Sequence, residues 1–200
     1  MDLSQILSAD YYLWDAWSLV EQDKWHLYCL GLEKYDSTGA LINPDDRNNH
    51  QFHIHHFDSA DEGGTWIDRG IFQQTSICAN GADSGNVWSG DSHRTAWGEY
   101  WFAATGIRAV DSEHPFVQSL MLGRSSSPDA FDGVMTPVLM ADEHHEELLA
   151  KGYFLAERAE LGHRDGELGG SILALRDPYI VDLRDSENQA MVDVVFAAKA

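Results

Sequence analysis

Apolar and polar residues alternate over short distances along most of this chain, and clusters of Gly, Asn, Asp, Ser and Pro separate the runs. A two-residue period of this kind predicts β-strands, because successive side chains of a strand point to opposite faces. The reading places strands at 25–30, 51–57 and 66–72, then at 86–89, 100–105, 117–122 and 134–140. A third series is expected at 172–175, 179–181 and 191–198. In 51–57 the residues Phe52, Ile54 and His56 share one face, while His53 and His55 share the other, which is read as a polar face. Only 142–158, rich in Glu, Leu and Ala, reads as helical, and Gly152 interrupts it, so a short helix or structured loop is expected there. The charge-dense stretch 159–170 reads as a surface loop.

Strands grouped in sets at a period of tens of residues predict an all-β fold of the β-propeller type. An irregular β-sandwich fits the strand count as well. On the propeller reading, one blade occupies about 11–75 and a second about 85–141. The loop or short helix follows at 142–170, and a third blade begins at about 171–200. Two and a half blades would leave an open channel and an exposed edge strand at 192–198, which invites self-association or pairing with a complementing chain.

Composition narrows the partners. The chain has 200 residues, 44% of them hydrophobic and 11% aromatic, enough to bury a core. Acids outnumber bases 33 to 13, for a formal net charge of −20. Nucleic acid is excluded as an expected partner, since phosphate binding needs clustered Lys and Arg, and anionic membranes are disfavoured for the same reason. The acidity fits a salt-rich habitat and fits equally a merely solvated surface. Cys29 and Cys78 lie in or beside apolar stretches and read as buried free thiols. Residues 1–9 lack the basic and long apolar regions of an export signal, and no run approaches the ~20 apolar residues of a membrane helix.

Three short segments carry the chemistry: Leu13-Trp14-Asp15-Ala16-Trp17-Ser18-Leu19, Val87-Trp88-Ser89-Gly90-Asp91-Ser92 and Leu175-Arg176-Asp177-Pro178-Tyr179. Each is assigned to the opening strand of one set, and the innermost strands of a propeller line its channel. Glycosyl transfer needs a carboxylate at the anomeric carbon, a second acid to protonate the leaving oxygen, and groups that grip the sugar hydroxyls as the ring flattens. Asp15 and Asp177 suit two of the acidic roles. Trp14, Trp17 and Trp88 suit stacking walls, Arg176 a donor to ring hydroxyls, and Ser89 an orienter of Asp15. Taken singly, Asp15 reads as a strand-end cap and Asp177, before Pro178, as a turn former.

Taken together, the segments resemble the W-D-x-W-P-L, W-S-G and R-D-P motifs of glycoside hydrolase family 68, the levansucrases, inulosucrases and related β-fructofuranosidases, in that family's order. Residues 123–142, with Ser127-Pro128-Asp129 and Thr136-Pro137-Val138-Leu139, are also similar to its second blade. The resemblance implies a five-bladed propeller and a retaining fructosyl hydrolase or transferase acting on sucrose or related β-fructosides, with no cofactor. It implies Asp15 as the nucleophile, Asp177 as the transition-state stabiliser, Arg176 as its sugar-binding neighbour, and Trp14, Trp88 and Ser89 as residues around the nucleophile. Members of the family are commonly secreted. Two positions depart from the pattern: Ser18 stands where proline is usual, and Asp91 follows W-S-G where a small residue is commoner.

The family's acid/base glutamate belongs to a Glu-Arg motif well downstream of R-D-P, and few residues follow Asp177 here. Glu157-Arg158 precedes R-D-P and lies in 155–159, which reads as amphipathic helix. The expectation is therefore the N-terminal part of such an enzyme, inactive alone. Two other readings stay open: an invertase-like or arabinan-cleaving relative, and a carbohydrate-binding remnant without catalysis. The histidines of Phe52-His53-Ile54-His55-His56-Phe57 lack a third metal ligand, and His144-His145-Glu146-Glu147 lacks the spacing of a zinc helix, so no metal is expected.

Overall fold

The computed structural model describes residues 10–78, 81–164, 175–184 and 189–198. Among the described residues, ten strands form three antiparallel sheets. Strands β1 (Tyr11–Val20), β2 (Trp25–Glu33), β3 (His53–Ser59) and β4 (Ile67–Gln73) make the first, in sequential order. Strands β5 (Asn86–Arg94), β6 (Tyr100–Arg108), β7 (Val117–Ser125) and β8 (Thr136–Met140) make the second in the same order, and β9 (Arg176–Arg184) pairs with β10 (Ala190–Ala197) in the third. Sequential order follows from short turns built by polar side chains. Asp61 accepts from Ser59 Oγ and Thr65 N, both at 2.7 Å, to close the β3–β4 turn, and Asp132 accepts from Ser125 and Ser126 in the β7–β8 loop.

The sheets pack face on face because each strand's alternation feeds two cores. Tyr28, Leu30, Ile54 and Phe72 of the first sheet meet Phe102, Ala104 and Met121 of the second. Met121 points into this core, while its neighbour Leu120 points the other way, into a core with Leu148, Leu155, Leu161 and Leu175. Leu27, Cys29, Phe57 and Trp66 pack on the remaining face of the first sheet. The first strands adjoin, β1 against β5 and β5 against β9.

Several expectations change at this level. Within 142–158 the helical residues are α1 (His145–Ala150) and the start of a 3-10 turn at Arg158–Glu160, so residues 155–157, read as amphipathic helix, are not helical; Leu155 is instead drawn into the second core. Leu161 is likewise buried rather than part of a surface loop. The face of β3 read as polar is buried: His53 and His55 are 6% and 0% exposed, and every residue of β3 is inside. They are tolerated because His55 lies 3.2 Å from the His53 ring and 2.7 Å from Asp68. The third set opens at Arg176; residues 172–174 of the strand expected at 172–175, and 165–170 of the expected loop, lie outside the described residues. Both cysteines are buried thiols outside any disulfide.

Candidate functional site

A cavity of about 220 Å³ opens where β1, β5 and β9 come together, lined by Trp14, Asp15, Trp88, Ser89, Arg176 and Asp177 with Leu30, Arg47, Asn48 and Phe52. Six of the seven site residues read from sequence therefore meet in one place. The local backbone explains how. Between Trp14 and Trp17 strand β1 advances three residues while β2 advances two, from Leu30 to Tyr28. Between Trp88 and Gly90 strand β5 advances two while β6 advances one, and between Arg176 and Tyr179 strand β9 advances three against two in β10. Each segment thus holds a β-bulge on its opening strand, at Asp15, at Ser89 and at Asp177. A bulge re-aims its extra residue and breaks the alternation that would otherwise send it to a sheet face.

The two carboxylates also sit on strained backbone. Asp15 has φ 48° and Asp177 φ 54°, in the left-handed region that L side chains enter at a cost; the other non-glycine cases among the described residues, Glu62 and Ser76, lie in turns or bends. Both side chains remain accessible, Asp177 at 51%. Ser89 Oγ donates to Asp15 Oδ2 at 3.2 Å, and Arg176 Nε lies 3.6 Å from Asp177 Oδ2. Trp14 stands edge-on to Phe52 at 4.8 Å, and Trp88 is 8% exposed beside Phe116. The buried indole N–H of Trp88 has no partner among the described residues.

Trp17 is placed apart from the other six. The bulge turns its ring away from the cavity, onto Tyr28 at 6.0 Å, and its indole N–H donates to Ser92 Oγ at 2.8 Å. It joins the first two sheets and forms no wall of the cavity. Glu157-Arg158 is also absent from the lining.

Other participants escape the motifs. Arg47 and Asn48 reach the rim from a 3-10 helix at Pro44–Asn49, between β2 and β3, capped by Asn43. Thr105, fully buried on β6, accepts the Asp177 N–H at 3.0 Å. Asp91, the departure from the pattern, accepts the Ile180 N–H at 2.8 Å and so ties β9 to β5. Burial pushes its carboxyl above the ordinary value, opposed by the N–H groups of Ile180 and Ser92. Asp182 reaches back to His93 at 2.9 Å and to the Ala96 N–H at 2.7 Å. Two acids and a threonine thus hold the Arg176-Asp177 segment to the second sheet. The sequence signal for Thr105 was a polar residue inside an apolar strand, and for Asp91 its departure from the small residue usual after W-S-G.

No family model and no curated protein sequence matches the chain. Its fold does match solved structures. An inulosucrase from Halalkalicoccus jeotgali bound to kestose superposes with a TM-score of 0.55 at 19% identity, over 90% of this chain and 41% of that one. A variant of the levansucrase from Bacillus subtilis gives 0.55 at 17% identity, over 93% and 41%. A variant of the levansucrase from Bacillus megaterium gives 0.54 at 17%, over 88% and 39%. The chain spans about two-fifths of the length of these structures. The likeness is one of fold: an all-β arrangement of mostly antiparallel sheets, as the motifs led one to expect.

Proposed function

We propose that this chain carries the nucleophile side of a retaining fructosyl hydrolase or transferase acting on sucrose or a related β-fructoside. The observation behind the proposal is the convergence of three bulged strands, distant in sequence, on one cavity that holds two accessible carboxylates, Asp15 and Asp177. Asp15 attacks the anomeric carbon of the fructosyl unit and forms a covalent intermediate, and Ser89 steers it by the hydrogen bond to Oδ2. Asp177 and Arg176 grip hydroxyls of the flattened ring. Trp14 and Trp88 form apolar walls of the cavity.

The architecture in this proposal is a five-bladed propeller, of which the two four-stranded sheets are complete blades and β9–β10 the start of a third. Blade boundaries near 11–75, 85–141 and 171–200 follow. The lining described above contains two carboxylates and no third, so the proton donor comes from elsewhere in a complete propeller. The open side is the exposed face of β9–β10, where Tyr179, Leu183, Met191 and Val195 are 61%, 44%, 38% and 58% exposed. That side is proposed to accept further blades, a complementing chain or a second copy.

The test is sucrose turnover. The purified 200-residue chain releases no glucose from sucrose, while the protein completed with the remaining blades does, and Asp15→Asn in that complete protein lowers kcat by at least about a thousandfold with sugar binding retained. Turnover by the 200-residue chain overturns the division of labour. Unchanged turnover in Asp15→Asn overturns the nucleophile. A complete protein that binds sugar but never cleaves it supports the carbohydrate-binding reading instead.

A further inference from the structure

We infer that Thr105 is a positioning residue for both carboxylates of the cavity, linking the backbone at Asp177 to the backbone at Ser89; this rests on the fructoside reading given above. Thr105 lies on β6, outside all three motif segments, and is completely buried. Its hydroxyl accepts the Asp177 N–H at 3.0 Å and donates to the Ser89 carbonyl at 3.3 Å. Both partners are bulged residues. A bulge takes its extra residue out of the ladder, so that residue's N–H or C=O must find a partner elsewhere. A hydroxyl has one proton to give and lone pairs to receive, so one Thr side chain serves a stranded donor and a stranded acceptor at once.

The geometry gives this pairing two consequences. First, the N–H of Asp177 is anchored at the residue whose φ of 54° needs support from its surroundings. Second, Ser89 is fixed from behind by its carbonyl while its own hydroxyl holds Asp15 Oδ2 at 3.2 Å. The line Asp177–Thr105–Ser89–Asp15 therefore spans all three sheets and sets one carboxylate against the other. β-Branching restricts Thr105 to few rotamers, which keeps the hydroxyl in place.

The test compares Thr105→Val, which keeps the shape and removes the hydroxyl, with Thr105→Ser, which keeps the hydroxyl. Three properties of the 200-residue chain are read: hydrogen exchange at the Asp177 amide, the ¹³C resonance of the Asp15 carboxyl, and sucrose affinity from tryptophan fluorescence. The valine variant is expected to exchange at Asp177 at least about tenfold faster, to displace the Asp15 resonance, and to bind sucrose at least about tenfold more weakly. The serine variant returns all three to within about threefold of wild type or to the wild-type position. Wild-type behaviour in the valine variant, or a serine variant no better than valine, overturns the inference. So does free exchange at Asp177 in the wild-type chain, even if the valine variant does not fold. If wild-type chain shows no response to sucrose, the fructoside reading fails alone, because the exchange and the Asp15 resonance still decide the role of Thr105.

Discussion

Acid should unfold this protein before it protonates most of its carboxylates, and the cause is histidine. His53 and His56 are 6% and 1% exposed. Burial, aided by the neighbouring His55 and His26 respectively, pushes each well below the usual 6.5, to about 4. His26 is displaced downward too, mainly by burial. His56 stacks on Tyr28 at 4.9 Å and meets His26 at 3.0 Å, with Asp58, Asp129 and Lys24 as the charges near it. A group whose folded value lies below its unfolded one contributes stability above pH 6.5 and loses it as pH falls towards 4. At 1.36 kcal/mol per pH unit, each of the two opposes folding by about 3 kcal/mol once both states are protonated. By about pH 5 roughly 2 kcal/mol per histidine is already lost. Together that is about 4 kcal/mol, a large share of the roughly 5–15 kcal/mol that stabilises an ordinary domain. Asp91, raised by burial, acts in the opposite sense and is relieved by acid. Asp58 and Asp129 are lowered against their burial, Asp58 by Arg69 and Lys24 and Asp129 by Lys24, and lose their contribution only below about 3.8. The assay is urea unfolding at about pH 7 and about pH 5, for wild type and for His53→Asn/His56→Gln. A steep fall in the wild type and a shallow one in the double variant are expected. An equal fall in both, or none in the wild type, refutes the reasoning.

Two further outcomes follow from particular contacts. A Cβ placed on Gly90 would lie 1.8 Å from the Ala103 carbonyl oxygen, so Gly90→Ala should cost about 2–4 kcal/mol in urea unfolding and disturb the Ser89 bulge; a near-neutral result would contradict the packing of β5 on β6. Val195 is 58% exposed on the apolar face of β10, so Val195→Lys should reduce concentration-dependent self-association in light scattering, and a wild-type chain that stays monomeric removes the premise.

Strands were legible because burial on alternating faces writes a two-residue period into sequence, and the three motif segments were legible because their unusual residue types stand together. What stayed hidden has one physical source: features made by contacts distant in sequence. A bulge is a mismatch between two strands, and neither strand alone records it, so the turning of Trp17 away from Asp15 could not be read. Thr105 looks like a stray in an apolar strand, and Asp91 like an unexplained departure, until β9 arrives with N–H groups for them to accept. The histidines of β3 suggested a wet face because polarity is visible in sequence, whereas Asp68 and Tyr11, which let that face be buried, come from other strands. The short helix or structured loop read over 142–158 contains α1 (His145–Ala150), and Leu155 further on, in the part read as amphipathic helix, packs with Leu148 and Leu175.

The left-handed backbone at Asp15 and Asp177 has a consequence for how such a sequence drifts. Glycine adopts that conformation freely, so a glycine at either position relaxes a strain of about 1 kcal/mol while deleting a carboxylate. On the proposed function, Asp15→Gly and Asp177→Gly would therefore ease the backbone while removing the two carboxylates the chemistry needs. A lineage released from selection for turnover would be expected to lose these two aspartates early, by changes that improve folding.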